Sequence, residues 1–476
     1  MAYTRRGVLL QLSNARRKSS DRSTEPIFMS ATKLAQWIRE KKISSFEAVK
    51  ACQSRIAAVN PKLNAVIELC TERALVEAKQ ADAAQAKGQI RGPLHGVPMT
   101  IKDSFDTAGV VSTGGTLGRK MYIPARDATV VARLREAGAI LLGKTNTPEL
   151  TLSFVTQNLI HGQTRNPYNL DHQPSGSSGG AAAIIAGGGA PFDIGSDYAG
   201  SIRAPAHACG IAGLKPTAGR VPRTGHIVGY GGPFDSWQQI GPLARRVEDL
   251  QLLLIIIAGP DYEDVAIEPV PLHDSAAVNL KELRVAWYAT SGEPHPIPEI
   301  QSAVKNAVSI LTTAGAQVTE RMPPHLKDVT DLRMRMSQAD AGATVRRMLE
   351  RYGTRQTSLR PGGQARPAND FAQMVEQLDQ YRSTMLAFLE HFDLIVCPVQ
   401  PFAGLPVHET NNVASLSYTN PYNMTGWPAA VVRAGIAPPG LPIGVQLVGR
   451  PWTEHVVLAA AAQIESSTGG WQKPAL

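Results

Sequence analysis

Several class-defining features are scarce in this chain. Its 476 residues hold only four cysteines, Cys52, Cys70, Cys209 and Cys397, scattered without a C-x-x-C or a Cys/His cluster at metal-ligand spacing. That excludes a disulfide scaffold and a structural zinc site, and it fits a reducing, cytoplasmic setting. No metal or cofactor is expected, and the cysteines are assigned no chemistry. Long apolar runs are also missing. The longest aliphatic stretch, Leu252 to Ala258, falls far short of the roughly 18 to 20 residues a membrane-crossing helix needs. Aromatic residues make up 6% and charged residues 18%, yet 43% of the chain is hydrophobic, enough for a large core and too much for a disordered chain. No internal repeat is visible.

The net charge of +8 raises the question of a polyanion partner until the charges are located. Residues 1–28 carry Arg5, Arg6, Arg16, Arg17, Lys18 and Arg22 against Asp21 and Glu25, a net +4, so the other 448 residues hold only +4. No nucleic-acid face is expected. The tail contains Arg5-Arg6 followed by a few apolar residues, but it lacks the long apolar region of an export signal. It reads as a disordered basic extension, residues 1–28, ahead of one domain over residues 29–476.

Along that domain, helix and strand patterns alternate. Ser30 precedes Leu34, Trp37 and Ile38 at helical spacing, and Ser44 with Glu47 forms a capping box before Val49, Cys52, Ile56 and Val59. Asn60-Pro61 is expected to end that helix. Residues 65–69, 97–101, 283–288 and 393–396 read as strands, and 71–87 and 300–311 as helices. The fold class is α/β: a central mixed, twisted β-sheet sandwiched by α-helices. Between Gly162 and Gly241, dense Gly, Ser, Ala and Pro interleaved with packable Ile and Leu point to a site built largely from backbone. Residues 353–369, rich in Gly and Arg, read as a mobile surface loop, a candidate lid.

Three motif matches fail on their surroundings. Residues 138–145 spell G-x-x-x-x-G-K-T, but the intervening residues are strand-like rather than a phosphate-cradling loop. Ser30-Ala31-Thr32-Lys33 matches S-x-x-K, yet Ser30 is better placed as a helix cap. Gly176-Ser177-Ser178-Gly179-Gly180 matches G-x-S-x-G, with Ser178 as nucleophile and Glu454 and His455 downstream, but residues 166–175 are not the buried strand that motif follows. It stays as an alternative.

A lysine and a set of serines remain. Lys102 ends the apolar segment Val97-Pro98-Met99-Thr100-Ile101, where burial would lower its pKa toward neutrality and let it act as a base. Pro174-Ser175-Gly176-Ser177-Ser178-Gly179-Gly180 supplies hydroxyls, and Gly195-Ser196-Asp197-Tyr198-Ala199-Gly200-Ser201 brings another after a turn whose N–H groups could face an oxyanion. In these segments, and in residues 393–398, 423–429 and 440–449, the sequence resembles the amidase signature family of Ser-Ser-Lys hydrolases. The resemblance implies Ser201 as nucleophile, Ser177 as bridging serine on a cis peptide after Gly176, and Lys102 as base. It implies an oxyanion hole from the N–H groups of Tyr198, Ala199, Gly200 and Ser201, with Asp197, Arg203, Gly176 and Ser178 in support. His207 and Cys209 match no catalytic position and are read as packing. The chain departs from the family pattern at Tyr198-Ala199 and at Ser175, where glycine is usual. A small-molecule amide is the expected substrate of such a C–N hydrolase; a carbamate is the alternative. A further alternative is an amidotransferase A-type subunit. Neither a nucleic-acid partner nor a membrane span is implied, and a homodimer is left open.

Overall fold

In a computed structural model, which describes residues 25–232, 234–292, 294–409 and 416–476, the strands separate into two main ladders. The smaller joins β1 (Val66–Leu69), β2 (Pro98–Lys102) and β3 (Ile140–Thr145) in the order β1-β3-β2. A short hairpin, β4 (Gln157–Asn158) and β5 (Gly162–Gln163), follows. The larger sheet contains β6 (Phe192–Asp197), β7 (Ala212–Lys215), β8 (Gln239–Ala244), β9 (Arg284–Trp287), β10 (Gln317–Glu320), β11 (Leu394–Pro398), β12 (Ala429–Ala437) and β13 (Leu441–Gly449). Its eight strands run in the order β10-β9-β11-β13-β12-β7-β8-β6; β10, β9 and β11 are parallel and the other pairings antiparallel.

The side-chain alternation of the central strands dictates a three-layer packing. Leu394 and Val396 of β11, Ile443, Val445 and Leu447 of β13, and Val285 of β9 enter one core with the helices Val247–Ile257, Pro298–Thr313 and Glu454–Thr468. Ile395, Cys397, Val448 and Ala286, the intervening residues, enter a second core with the helices Leu326–Gln338 and Ala368–Glu390. Because helices cover both faces, all nine residues of β13 are buried, which is why it reads as a nearly continuous apolar run. No helix among the described residues is long and apolar enough to cross a membrane.

The mixed sheet covered by helices agrees with the sequence. A finer feature is the separation of β1–β3 from the large sheet. At the seam between β2 and β6 stands a carboxylate: Asp193 accepts from the Lys102 N–H at 2.8 Å, Thr100 Oγ1 at 2.7 Å and Thr145 Oγ1 at 3.0 Å.

Local expectations hold at Ser44, whose hydroxyl accepts from the Glu47 N–H while Glu47 accepts from the Ser44 N–H. Three others need correction. The helix begun there runs Ser45–Leu63, past Pro61. Proline removes one donor, but the Asn60 side chain accepts from the Ala65 and Val66 N–H groups and so organises the exit a turn later, at left-handed Asn64. The basic extension does not reach residue 28: Pro26–Phe28 is a 3₁₀ turn, and Phe28 is buried and stacks on Trp471. Residues 1–24 of that extension lie outside the described residues. The loop at 353–369 is tied down at its start, where buried Glu149 accepts from Thr357 Oγ1 and from the Ser358 N–H and hydroxyl at 2.8–2.9 Å.

Ser44→Ala removes the cap and should lower stability by about 1 kcal/mol. Calorimetry should show a lower thermal midpoint for Ser44→Ala and a largely retained one for Ser44→Asp; equal midpoints in wild type and Ser44→Ala would deny the cap any role.

Candidate active site

Strand β2 carries Lys102 into the interior, where its side chain is 0% exposed. Its Nζ donates to Ser177 Oγ at 2.7 Å, to Ser178 Oγ at 3.0 Å and to Ser196 Oγ at 3.0 Å. Among the described residues it has no carboxylate within ion-pair distance. Loss of hydration therefore dominates and pulls its pKa down to about 7, although the charges of Asp193 and Asp197 oppose the shift. Burial pushes the Asp193 carboxyl in the opposite direction, upward.

The serines reach the amine from two loops. Gly176–Ser177 is a cis peptide, and Ser177 and Ser178 precede the helix Gly179–Ala186, all of whose residues are buried. A Cβ on Gly176 would lie 2.8 Å from the Phe154 carbonyl, so the backbone packs too closely for any side chain. Ser175, where the sequence departs from glycine, adopts φ 63°, and its carbonyl accepts from Thr156 Oγ1 at 2.8 Å. The second loop follows β6. Ser196 faces the amine, and the chain turns through Tyr198, Ala199 and Gly200 to Ser201, whose carbonyl accepts from the Ser178 N–H at 3.1 Å. The two serine loops are thus bonded to each other. Among the described residues, Ser201 Oγ itself makes no hydrogen bond.

The turn before Ser201 is shaped by Asp197. Its carboxylate accepts from the Gly200 N–H at 2.8 Å, the Ile202 N–H at 3.1 Å and the Asn423 amide at 2.8 Å, and it pairs with Arg203 at 2.9 Å, both side chains fully buried. Burial alone would raise this carboxyl; Arg203, Lys215 and Asn423 outweigh it and hold it far below the usual range. Arg203 also reaches the Thr419 carbonyl and Gln446 Oε1. The expected oxyanion set needs a correction. Gly200's N–H is spent on Asp197 and cannot serve a substrate. Those of Tyr198, Ala199 and Ser201 have no partner among the described residues. Ala199 is not among the residues with positive φ; Gly200 takes that strain at φ 126°.

Other sequence candidates fall elsewhere. Lys144 of the false phosphate loop is buried in β3, donating to the Phe105 carbonyl, Thr107 Oγ1 and Ser112 Oγ. Glu454 pairs with Arg220, and the His455 ring lies against His273, so the Ser178 elbow lacks its acid and base. The His207 ring is bonded between the Phe402 carbonyl and Gly444, and Cys209 is buried, both as packing elements. Sequence reasoning missed Asp193, Ser196, Thr419, Asn423 and Gln446. The only signal for Asn423 and Gln446 was that each lies in a segment carrying the family resemblance. Among the described residues no cluster of His, Cys, Asp and Glu could hold a metal ion.

Comparison with known proteins places this geometry. The family described as Amidase matches residues 47–458. The A-type subunit of the glutamyl-tRNA(Gln) amidotransferase of Roseiflexus sp. (strain RS-1) is 37% identical over 87% of this chain and 91% of its own length. An acylamidase of Rhodococcus erythropolis is 33% identical over 92% and 95%. Among solved structures, a fatty acid amide hydrolase superposes with a TM-score of 0.84 at 26% identity, covering 94% of this chain and 87% of that one.

The depressed Lys102 pKa has a measurable consequence for stability. Unfolded, this lysine keeps its proton up to its ordinary value of 10.5; folded, it releases it near 7. Between those values the unfolded chain binds the extra proton, so stability from this group rises with pH, by up to about 1.4 kcal/mol per pH unit. Lys102→Met should lack that rise; denaturation at stepped pH that gave parallel curves for wild type and variant would contradict a buried, neutral amine.

Proposed function

The chain belongs to the amidase family, and from that membership we propose that it is a serine hydrolase cleaving the C–N bond of small-molecule amides through an acyl-Ser201 intermediate. The observation that carries this reading is a fully buried amine 2.7 Å from Ser177 Oγ, with no acid paired to it among the described residues. An ammonium has three N–H donors; a neutral amine has two and a lone pair. Three hydroxyls surround Lys102, so on losing its proton it can keep two as acceptors and take a hydrogen from the third. Ser177 is the nearest.

In the proposed sequence Lys102 takes the Ser177 proton as Ser177 takes that of Ser201, and Ser201 Oγ attacks the substrate carbonyl. The unpartnered N–H groups of Tyr198, Ala199 and Ser201 receive the oxyanion, each good donor being worth about 3 kcal/mol in the transition state. Collapse returns a proton through Ser177 to the leaving nitrogen, breaking the C–N bond and leaving the ester on Ser201. Water, deprotonated through the same relay, then releases the acid. Asp197 and Arg203 hold the turn and take no proton.

The name of the Roseiflexus relative favours a second reading, in which the same acyl transfer serves an amidotransferase complex. Hydrolysis of a chromogenic anilide by the purified chain supports the first; activity that emerges only with partner proteins supports the second.

Lys102→Ala, Ser177→Ala and Ser201→Ala, assayed on paired anilide and carbamate substrates, should each lose at least about 10³-fold in turnover, and less than additively when combined. Labelling by a fluorophosphonate should vanish in Ser201→Ala. If Ser178→Ala and His455→Ala were the inactive variants instead, the relay would be wrong. The anilide-to-carbamate ratio decides between those substrates.

A further inference from the structure

Beside Tyr198, the first residue of the turn that ends on Ser201, the interior holds a cation without a counter-ion among the described residues. Arg333, on the helix Leu326–Gln338, is 7% exposed. Its guanidinium lies 5.0 Å from the centre of the Tyr198 ring and 5.9 Å from that of Trp237. Among the described residues it forms no ion pair and no hydrogen bond, and its Nε is buried without a partner. Arg203, Arg220 and Arg223 each hold a carboxylate, and Arg245 donates to four backbone carbonyls; Arg433, over the Tyr168 ring, also forms no ion pair among the described residues. Two further polar atoms nearby are also buried and unpartnered. One is the indole N–H of Trp237; the other is Oδ1 of Asn420, whose amide reaches Thr330, one turn before Arg333, at 3.5 Å.

A guanidinium stays protonated even when buried, and stacking on aromatic faces offsets only part of its lost hydration. An anion brought by a ligand would complete the site, and a planar carboxylate fits the guanidinium fork. Tyr198 and Ser201 are three residues apart, their Cα atoms at most about 10 Å from each other, so a spacer can join an anion held over the Tyr198 ring to the carbonyl under attack. Trp237 and Phe234, with ring centres 4.6 Å apart, offer an apolar surface for that spacer.

We propose that Arg333 binds a free carboxylate on the acyl part of the substrate, so that the preferred substrates are monoamides of short dicarboxylic acids. The acyl part is the one that stays on Ser201 through both half-reactions, which keeps the carboxylate bound throughout. The proposal rests on the acyl-Ser201 reading above and adds the substrate class.

The test compares glutaric acid mono-4-nitroanilide with pentanoyl 4-nitroanilide, its neutral counterpart. Wild type should favour the acid at least 10-fold in kcat/KM. In Arg333→Met that ratio should fall to near one, and in Arg333→Lys it should remain partly, with circular dichroism checking that both variants fold. A wild-type ratio of one or less, or a ratio unchanged in Arg333→Met, overturns the proposal. If wild type cleaves neither anilide, the hydrolase reading fails and binding decides the rest. Calorimetric titration of the glutaric anilide into Ser201→Ala should then show affinity at least 10-fold above that of Ser201→Ala/Arg333→Met; equal affinities, or none in either, overturn the carboxylate site.

Discussion

A buried amine that has hydroxyls for neighbours and, among the described residues, no acid is the constraint around which this site is built. Had a carboxylate reached Lys102, the pair would have fixed the charge and left the amine unable to accept a proton. Asp193 comes near, but its oxygens are taken by the Lys102 backbone N–H, Thr100 and Thr145. Asp197, the other acid in range, is engaged by Arg203 and Asn423. Both acids are satisfied by other donors, so desolvation prevails at Nζ. Lys144 shows the contrast within one fold. It too is fully buried and burial lowers its pKa as well, but a carbonyl and two hydroxyls accept from it and Asp103, 3.8 Å away, opposes the shift.

The same economy governs the turn to Ser201. Asp197 fixes the loop by accepting two of its N–H groups, and Thr419 adds a bond to the Ala199 carbonyl at 2.5 Å. What those anchors leave free defines what the loop can do: three N–H groups with no protein acceptor among the described residues. Glycine at 200 is required on two counts, its positive φ and the 2.5 Å approach of Thr419 Oγ1 to any added Cβ. Ala199 needs no such freedom, which is why the departure from glycine there leaves the turn intact.

Much of the fold was legible because it depends on local periodicity. The capping box at Ser44, the apolar strands and the amphipathic helices all follow from spacing along the chain. Pro61 escapes such rules because its compensation comes from a side chain, Asn60, bonding residues five and six positions on. Choosing Lys102 as the candidate base was harder than a buried strand end suggests. Lys144 and Lys215 also lie fully buried in apolar strands, β3 and β7, so burial alone could not choose among the three; the family resemblance did. Likewise no spacing rule could show that Gly200 gives its N–H to Asp197, or that Asn423 and Gln446, more than 200 residues away, close the network around Arg203.

Two basic side chains near the serine loops are treated in opposite ways, and the difference follows from their chemistry. Lys102 has a compact charge whose loss of hydration can be relieved by dropping a proton, so surrounding it with neutral hydroxyls makes it a base near pH 7. Arg333 has no such exit: its delocalised charge persists, and aromatic faces at 5.0 and 5.9 Å soften the penalty without cancelling it. One site therefore moves protons and the other keeps a fixed positive charge beside the turn. A neutral base and a permanent cation can coexist there only because the serines and Asp197 lie with the first, and Tyr198 and Trp237 with the second.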